Sequence, residues 1–420
     1  MHEKKKSEIS PLGYKFANNW QKKKIHLAKQ HQFKAFDKIN NLTVIKRVGK
    51  TITVEDGRQM VEFACCSYLG LDTDERVVNA GKDKLEDYGV NLAVARTRLR
   101  VEPFDILEEL LSKIFCGASV TIFTSLHLTH LGFLPLLASG EMPSYPIKKN
   151  GPLFIMDTRA HACLQINQGL MDQFGQVTRI DFRKKDDIIA LFQLADKNHQ
   201  TPISISDSVV SMGGIVPVQL LLELAEKHKG YVYLDDAHGT SIYGKNGCGY
   251  TLDLLKNHFH PRMIITPALS KGFGTNGGVL ALPTKKDTEM VKRFDSNYLF
   301  GNPPPISIIN SSIASAKIHL TDEISQLQKK LWDNVAYFDS LNKSHTNYLD
   351  DQAPIRGIFI GDEHKAIECT AKLQKAGFFV TAAMYPTVAL GQSILRIAIS
   401  ALHTKEEIFE LCKHLNQYVD

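Results

Sequence analysis

The chain has 420 residues, of which 43% are hydrophobic and 23% are charged. This length allows one large domain with a smaller one, or two of similar size, and the composition excludes a disordered chain, a collagen and a coiled-coil rod. The net charge of +5 is unevenly spread, because the first 50 residues hold thirteen Lys or Arg against three acids and the other 370 residues carry −5.

We call residues 1–50 the basic leader. Its lysines could be solvated, could attract an anionic ligand or could contact nucleic acid. No nucleic-acid-binding motif accompanies them, so we expect no nucleic-acid partner. Lys4, Lys5 and Lys6 are followed by no apolar core of a secretory signal.

The longest apolar stretch, residues 126–138, contains two His and a Pro and is shorter than the roughly 20 residues of a membrane-spanning helix. The seven cysteines are scattered and form no CxxC pair, which predicts reduced thiols rather than a disulfide framework or a zinc ribbon. We therefore expect a cytoplasmic protein without stable membrane insertion.

The predicted elements begin with a helix over 10–32, a β segment over 43–54 and a turn at Asp56 and Gly57. From Glu75 onward, helical patterns alternate with short apolar runs at 153–157, 203–207, 231–235, 263–266 and 278–282. Such runs are typical of a mostly parallel sheet with helices on both faces. Three of them end in Asp, and ligands of open α/β sheets bind beyond the carboxyl ends of the strands.

Past three consecutive prolines at 303–305 the pattern changes. A long helical pattern runs to about residue 341, followed by β runs at 355–360, 378–382 and 394–399 and a last helix from Thr404. We therefore predict a basic N-terminal segment over 1–60, a large domain over 61–305 and a small α+β domain over 306–420.

Three segments carry the chemistry: ISISDSVVSMGG at 203–214, YVYLDDAHGT at 231–240 and ALSKGFG at 268–274. Pyridoxal phosphate (PLP) chemistry needs a lysine for a Schiff base, a carboxylate for the pyridine nitrogen, and small donors for the phosphate. A lone Ser-Lys in a glycine turn is more often a surface loop. A DDAH motif at a strand end, followed about 35 residues later by SKGFG, is much more specific.

These motifs resemble those of the α-oxoamine synthases, together with CSYLGL at 66–71 and ILRIAIS at 394–400. The resemblance implies the aspartate-aminotransferase-like α/β fold (fold type I), with a mostly parallel central sheet, helices on both faces and a smaller α+β C-terminal domain. It also implies PLP as cofactor, an amino acid and an acyl-CoA as substrates, and a homodimer with the active site at the subunit interface.

The resemblance also implies a role for each matching residue around the cofactor ring. Lys271 would bind the cofactor covalently and later take a proton from the substrate. Asp235 would hold the pyridine nitrogen, while His238 and Ser211 would contact the phenolic oxygen. His161, in DTRAHAC at 157–163, would stack on the ring, although a single buried His is often only a core residue.

The remaining matches concern the substrate and the phosphate. Arg396 would bind the amino acid carboxylate, although a strand Arg could also face solvent. Ser67 stands where the family usually has a substrate-contacting Asn. The residues at the phosphate position are Ser125, Leu126 and His127, where Leu126 replaces the usual Gly.

The sequence offers two further candidates, a second acid and a pair of histidines. Asp236 is expected to be a solvated or salt-bridged neighbour rather than a catalyst. His127 and His130 are three residues apart, but no third ligand has a matching spacing, so we predict no metal site.

The chain departs from the family pattern in three further places. Residues 94–104 lack the usual glycines and histidine, with Phe104 near the histidine's place. Ala268 replaces a Thr, which leaves Ser270 and Thr266 as hydroxyl candidates, and the usual cross-dimer Ser/Thr pair is replaced near 300–303. These departures predict that cofactor binding is retained and substrate choice is changed.

The predicted activity is a PLP-dependent condensation of an amino acid with an acyl-CoA, which releases CoA and CO₂ and gives an α-aminoketone. A specialised member, an α-hydroxyketone autoinducer synthase of bacterial quorum sensing, is one form of this hypothesis. The alternatives are an aminotransferase or lyase of the same fold, or a regulatory homologue that has lost catalysis.

Overall fold

The computed structural model describes residues 20–83, 85–347 and 353–419. Within these residues the strands are β1 (Val44–Val48), β2 (Thr51–Val54), β3 (Gln59–Glu62), β4 (Ser119–Phe123), β5 (Pro152–Asp157), β6 (Gln176–Ile180), β7 (Thr201–Asp207), β8 (Tyr231–Asp235), β9 (Met263–Thr266), β10 (Gly278–Leu282), β11 (Thr346–Asn347), β12 (Ile355–Gly361), β13 (Phe378–Phe379), β14 (Thr381–Ala383) and β15 (Ser393–Ala398).

The helices of the same residues are α1 (Trp20–Ala35), α2 (Glu75–Lys82), α3 (Leu85–Tyr88), α4 (Glu102–Ile114), α5 (Leu126–Ala138), α6 (Ala162–Gln165), α7 (Gln168–Met171), α8 (Lys185–Lys197), α9 (Val218–His228), α10 (Tyr250–Leu254), α11 (Lys285–Phe294), α12 (Ser296–Phe300), α13 (Ile306–His319), α14 (Glu323–Leu341), α15 (Glu363–Lys375) and α16 (Lys405–Tyr418). None of these helices is long and apolar enough to cross a membrane.

The central sheet has seven strands in the order β4-β10-β9-β8-β7-β5-β6. β10 is antiparallel to both of its neighbours, and the other pairs are parallel. Strands β8, β9 and β10 have the predicted bounds, while β5 and β7 begin slightly before theirs. β4 and β6 were not predicted.

Alternate side chains of the buried strands enter different cores, because successive residues of a strand point to opposite faces. On β5, Leu153 and Ile155 pack in the core that includes α4, α8 and α9 residues. Phe154 and Met156 pack in the core that includes residues of α5. Helices thus cover both faces of the sheet, which confirms the predicted fold class.

A smaller antiparallel sheet has the order β11-β12-β15-β14 and packs on residues of α14 and α16. The remaining sheet, β1-β2-β3-β13, joins N-terminal strands to one from the C-terminal part, since β13 pairs with β3. The division of the chain at residues 60 and 305 stays a prediction.

Three predicted elements need correction or restriction. The single β segment over 43–54 is a hairpin of β1 and β2, which turns at Gly49 with a positive φ of 55°. The run over 378–382 divides between two sheets as β13 and β14. The helix predicted over 10–32 is described only from residue 20 and continues to Ala35, while residues 10–19 lie outside the described part.

Candidate active site

Two buried acids lie side by side where the central strands end. Asp207 of β7 and Asp235 of β8 are register partners, and Thr266 of β9 is the partner of Asp235 on its other side. The Nε2–H of His130, on α5, donates to Asp235 Oδ2 at 3.1 Å, and the backbone N–H of Ala237 donates to Oδ1 at 2.9 Å. Asp235 is therefore held in one orientation by two donors.

These donors separate the protonation states of the two acids. Burial would raise the pKa of Asp235, but the hydrogen bond and charge of His130 and the charge of Lys271 outweigh it, so this pKa lies below its usual value. Burial, together with the neighbouring charge of Asp235, raises the pKa of Asp207 well above its usual value. The two pKa values therefore shift in opposite directions, so Asp235 is the acid of the pair that favours the charged form and Asp207 is the one that favours the neutral form.

His130 is oriented by a second buried hydrogen bond. The hydroxyl of Tyr233, whose pKa burial raises well above normal, lies 2.8 Å from His130 Nδ1. His130 is thus held between Tyr233 and Asp235. The sequence presents His130 only as a candidate metal ligand, and the one signal for this contact is a His within a mostly apolar helix.

Lys271 lies half-buried in the loop between β9 and β10. Its positive charge acts on the pKa of Asp235, of His161 and of His238, which places all four side chains around one site. Of the hydroxyl candidates, Thr266 donates to the carbonyl of Leu234 at 3.2 Å. Ser270 is exposed beside Lys271.

His238 lies fully inside the protein and contacts Tyr68. Burial and the charges of Lys271 and Arg396 lower the pKa of His238 well below its usual value, so its ring is neutral. The Tyr68 hydroxyl lies 2.7 Å from Nδ1. This contact occupies Nδ1, so Nε2 is the ring nitrogen that can face a ligand.

Arg396 of β15 brings the smaller sheet to this site. Its Nε donates to the carbonyl of Ser211 at 3.1 Å, and one Nη contacts Cys66 Sγ at 3.2 Å. Arg396 is only 8% exposed, so the alternative that it faces solvent does not hold. The contact to Ser211 is made by its backbone, and the role of its hydroxyl stays a prediction.

Neighbouring residues Cys66 and Ser67 point in different directions. The Ser67 hydroxyl accepts from Lys50 Nζ at 2.9 Å and from Arg47 at 3.1 Å, so it is occupied by a buried ion cluster. Cys66 is the side chain that contacts Arg396, a position that the sequence analysis had not singled out. Substrate contact by Ser67 stays a prediction.

The Cys66 thiol lies in a positive environment. Burial would raise its pKa, but the charges of Arg396 and Lys271 and a hydrogen bond with Tyr68 outweigh burial, so the pKa lies below its usual value. The residue that faces the arginine therefore ionises more readily than an ordinary thiol.

His161 precedes α6, and its ring is exposed. Its backbone N–H donates to Asp207 Oδ2 at 2.6 Å, and its Nδ1 lies 2.9 Å from Cys163 Sγ. Cys163 in turn lies 3.8 Å from Asp235. His161 is therefore anchored to both acids at the strand ends, which is compatible with the predicted stacking position.

The segment predicted to bind phosphate is the beginning of α5. Ser125 is the N-cap and accepts from the Leu128 N–H at 3.3 Å, which leaves the N–H groups of Leu126 and His127 without partners inside the helix. Leu126 has an ordinary negative φ, so the missing glycine costs no backbone strain. A Cβ built on Gly278 would lie 2.6 Å from Leu126 N, so the neighbouring strand leaves no room there for a side chain.

The expectation for Asp236 needs correction. Its side chain is fully buried, accepts a hydrogen bond from Ser208 and makes no salt bridge among the described residues. A Cβ on Gly239 or Gly249 would lie within 2.2 Å of its carboxylate oxygens. Burial raises the pKa of Asp236 to about 7. Asp236 is therefore a packed structural acid rather than a solvated one.

One cluster in the described part of the chain has the spacing of a metal site: His130, Cys163 and Asp235. His130 already donates to Asp235, and burial followed by the charge of Asp235 raises the pKa of Cys163 well above its usual value. A protonated thiol is a poor metal ligand, so we retain the prediction that this site binds no metal.

The divergent segment 94–104 is anchored by Arg96. Its guanidinium lies over the rings of Phe104 at 4.6 Å and Tyr298 at 4.2 Å, and 3.7 Å from Glu108. These contacts fix the base of the segment, whereas Arg98 and Leu99 are exposed.

Comparisons with known proteins agree with this architecture. The aminotransferase class I and II family model matches residues 187–415. The 8-amino-7-oxononanoate synthase of Coprothermobacter proteolyticus is 30% identical over 358 residues, which are 84% of this chain and 87% of that protein. The synthase of Symbiobacterium thermophilum is 29% identical, over 85% of this chain and 88% of its own.

Solved structures show the same fold. A serine palmitoyltransferase from S. paucimobilis, determined with PLP and myriocin, has a TM-score of 0.82 at 20% identity, covering 96% of this chain and 98% of that one. The 8-amino-7-oxononanoate synthase of Francisella tularensis has a TM-score of 0.69 at 19% identity, covering 86% and 98%. The chain belongs to the aminotransferase class I and II family and, within it, to the α-oxoamine synthases.

Proposed function

We propose that this protein condenses an amino acid with an acyl-CoA thioester, releasing CoA and CO₂ to give an α-aminoketone. As an α-oxoamine synthase the chain is a PLP-dependent transferase. The observation that carries the substrate proposal is the meeting of Asp235, Lys271 and Arg396, each on a different element, around one site.

The side chains present fit PLP. Asp235 is held ionised and oriented by His130, as a partner of a protonated pyridine nitrogen must be. The partnerless N–H groups at the beginning of α5 suit a phosphate, because a helix N-terminus favours anions. The neutral ring of His238 keeps a donor for the phenolic oxygen, and Lys271 supplies the amine.

When bound, the cofactor supplies an electron sink for the carbanion formed at the substrate's Cα. Lys271 would take and return the proton at that carbon. Arg396 would bind the α-carboxylate, and Asp235 would hold the pyridine nitrogen. The exposed ring of His161 borders the substrate position in this proposal, whereas the predicted substrate contact of Ser67 would require its hydroxyl to leave Lys50 and Arg47.

The experiment is a thiol-release screen that crosses amino acids with acyl-CoAs of graded length, with Lys271→Ala as the inactive control. Free CoA that appears only when both substrates are present supports the proposal. An amino-acid-dependent pyridoxamine form without thiol release would instead indicate an aminotransferase. Protein without a borohydride-reducible chromophore would indicate a homologue that has lost catalysis.

The autoinducer form of the hypothesis remains a narrower proposal, and the relatives named above do not favour it. Acyl-chain preference in the same screen decides it: medium-chain acyl-CoA with an unusual amino donor would support a signalling product. A biotin precursor or a lipid base would require other acyl donors.

The assembly and location are also part of the proposal. We place the enzyme in the cytoplasm, where acyl-CoA is made, and the seven cysteines are all unpaired. We propose a homodimer with the active site at its interface, supported by exposed apolar side chains of Val90, at 78%, and Phe300, at 79%. Light scattering of the purified protein tests this; a monomer contradicts it.

The basic leader would increase the local concentration of the anionic CoA. Its described part includes exposed Lys23 and Lys29 on α1. Removing residues 1–32 should raise the KM for acyl-CoA. Because Ala28 is buried and truncation also removes packing, the double variant Lys23→Glu/Lys29→Glu is the matched test of charge alone. An unchanged KM at low salt would make the leader a solvated surface.

A further inference from the structure

Two cysteines that are far apart in the sequence, Cys116 and Cys248, lie close together in the fold. Cys116 follows α4, and Cys248 precedes α10. Both thiols contact the same atom, Asn257 Oδ1, at 3.8 Å from Cys116 and 3.4 Å from Cys248. The pair lies outside the set of residues that the proposed transferase reaction uses.

The two thiols differ in exposure and in acidity. Cys248 is 1% exposed and Cys116 is half-buried, so a small oxidant reaches Cys116 first. The neighbouring Cys248 thiol lowers the pKa of Cys116, while the Cys116 thiol, followed by burial, raises the pKa of Cys248 far above normal. This is the asymmetry of an attacking thiol and a resolving thiol.

We propose that Cys116 and Cys248 form a peroxide-driven disulfide, a modification site independent of the catalytic residues. The Cys116 thiolate attacks hydrogen peroxide and, with one proton, gives a sulfenic acid and water. The Cys248 thiol then attacks that sulfur, forming the S–S bond and releasing a second water. The peroxide is reduced, and the two thiols lose two hydrogens in total.

Glycines lie on both sides of Cys248. Gly247 and Gly249 flank it with φ of 69° and 98°, and the sulfurs need to approach to about 2 Å. The bond would join the α4–β4 turn to the loop that supports Asp236, since Ser241 N–H donates to Gly247 O at 2.9 Å and Gly249 packs on the Asp236 carboxylate. Oxidation would therefore restrain the loop that follows Asp235.

The test uses the full-length purified protein, treated with hydrogen peroxide and analysed by intact mass and non-reducing peptide mapping. We expect a mass lower by about 2 Da and a peptide that links Cys116 to Cys248, both reversed by dithiothreitol. Because the bond closes a loop of more than 100 residues, the melting temperature should rise by about 3–5 °C.

The variants Cys116→Ser and Cys248→Ser should each lose the 2 Da decrease. Cys369→Ser, at a buried cysteine that contacts the carbonyl of Tyr418, is the matched control and should retain it. The proposal is overturned if wild-type protein only gains oxygen at Cys116, if the link maps to other cysteines, or if no decrease occurs.

Discussion

The free energy of unfolding of Asp236→Asn, relative to that of the wild type, should increase as the pH rises. Burial raises the pKa of this acid from 3.8 to about 7 in the folded protein, against the weaker opposing effect of the Ser208 hydrogen bond. A group whose folded pKa is raised contributes stability that is fully present below its unfolded value. That contribution is lost as the pH approaches the folded value.

The size of the effect follows from those two pKa values. Each pH unit between 3.8 and about 7 costs about 1.4 kcal/mol, because the unfolded chain has lost the proton that the folded chain keeps. The total is about 4 kcal/mol. Asn cannot ionise, so the variant escapes this loss. Any change in the hydrogen bond with Ser208 adds an offset that does not change with pH.

The assay is urea unfolding of the wild type and Asp236→Asn at several pH values. The free energy of unfolding of the variant minus that of the wild type should rise by about 2 kcal/mol between about pH 5.5 and 7.5. The exposed Asp186→Asn is the control and should show no such rise. A difference that stays constant with pH would refute the assignment of Asp236 as a buried acid. The variant should also keep the chromophore.

Three further predictions concern the cofactor and the substrate. Lys271→Ala should abolish the borohydride-reducible chromophore, measured by absorbance, and a retained chromophore would mean another lysine binds PLP. His130→Leu should weaken PLP binding about 10–100-fold by fluorescence titration, because it removes a charge-assisted hydrogen bond of about 1.5–3 kcal/mol; the exposed His199→Asn should change nothing. Cys66→Ala should lower the amino acid KM about 5-fold with little change in kcat, since the thiol competes for Arg396; a raised KM would mean that the thiol assists binding.

The fold could be predicted where hydropathy alone decides it. Strands β8, β9 and β10 are short, fully buried and bounded by turns, and their bounds agree with the sequence. β6 was not predicted because its residues are half-buried or exposed, which leaves no continuous apolar run in the sequence. The reversed direction of β10 could not be read either, since buried parallel and antiparallel strands have the same composition.

The candidate site could also be predicted only in part, where its residues lie in local motifs. The motifs around Asp235 and Lys271 are local, so they could be read from the sequence. His130 contacts Asp235, which lies 105 residues further along the chain, and the sequence around His130 does not indicate that partner. Cys66 and Ser67 are neighbours in the chain, yet the thiol of Cys66 contacts Arg396 and the hydroxyl of Ser67 contacts Lys50 and Arg47.

The divergent segment 94–104 lacks the family's glycines, but side-chain contacts of Arg96 hold it in place. Without glycines, its chain cannot lie as close to a ligand, but Arg96 between two aromatic rings holds it to α4 and α12. The Lys292–Glu108 pair at 2.6 Å strengthens the same corner. With the base fixed, exposed Arg98 adds positive charge beyond that of the leader. If the proposed acyl-CoA also contacts Arg98, removal of the leader alone should weaken acyl-CoA binding without abolishing it.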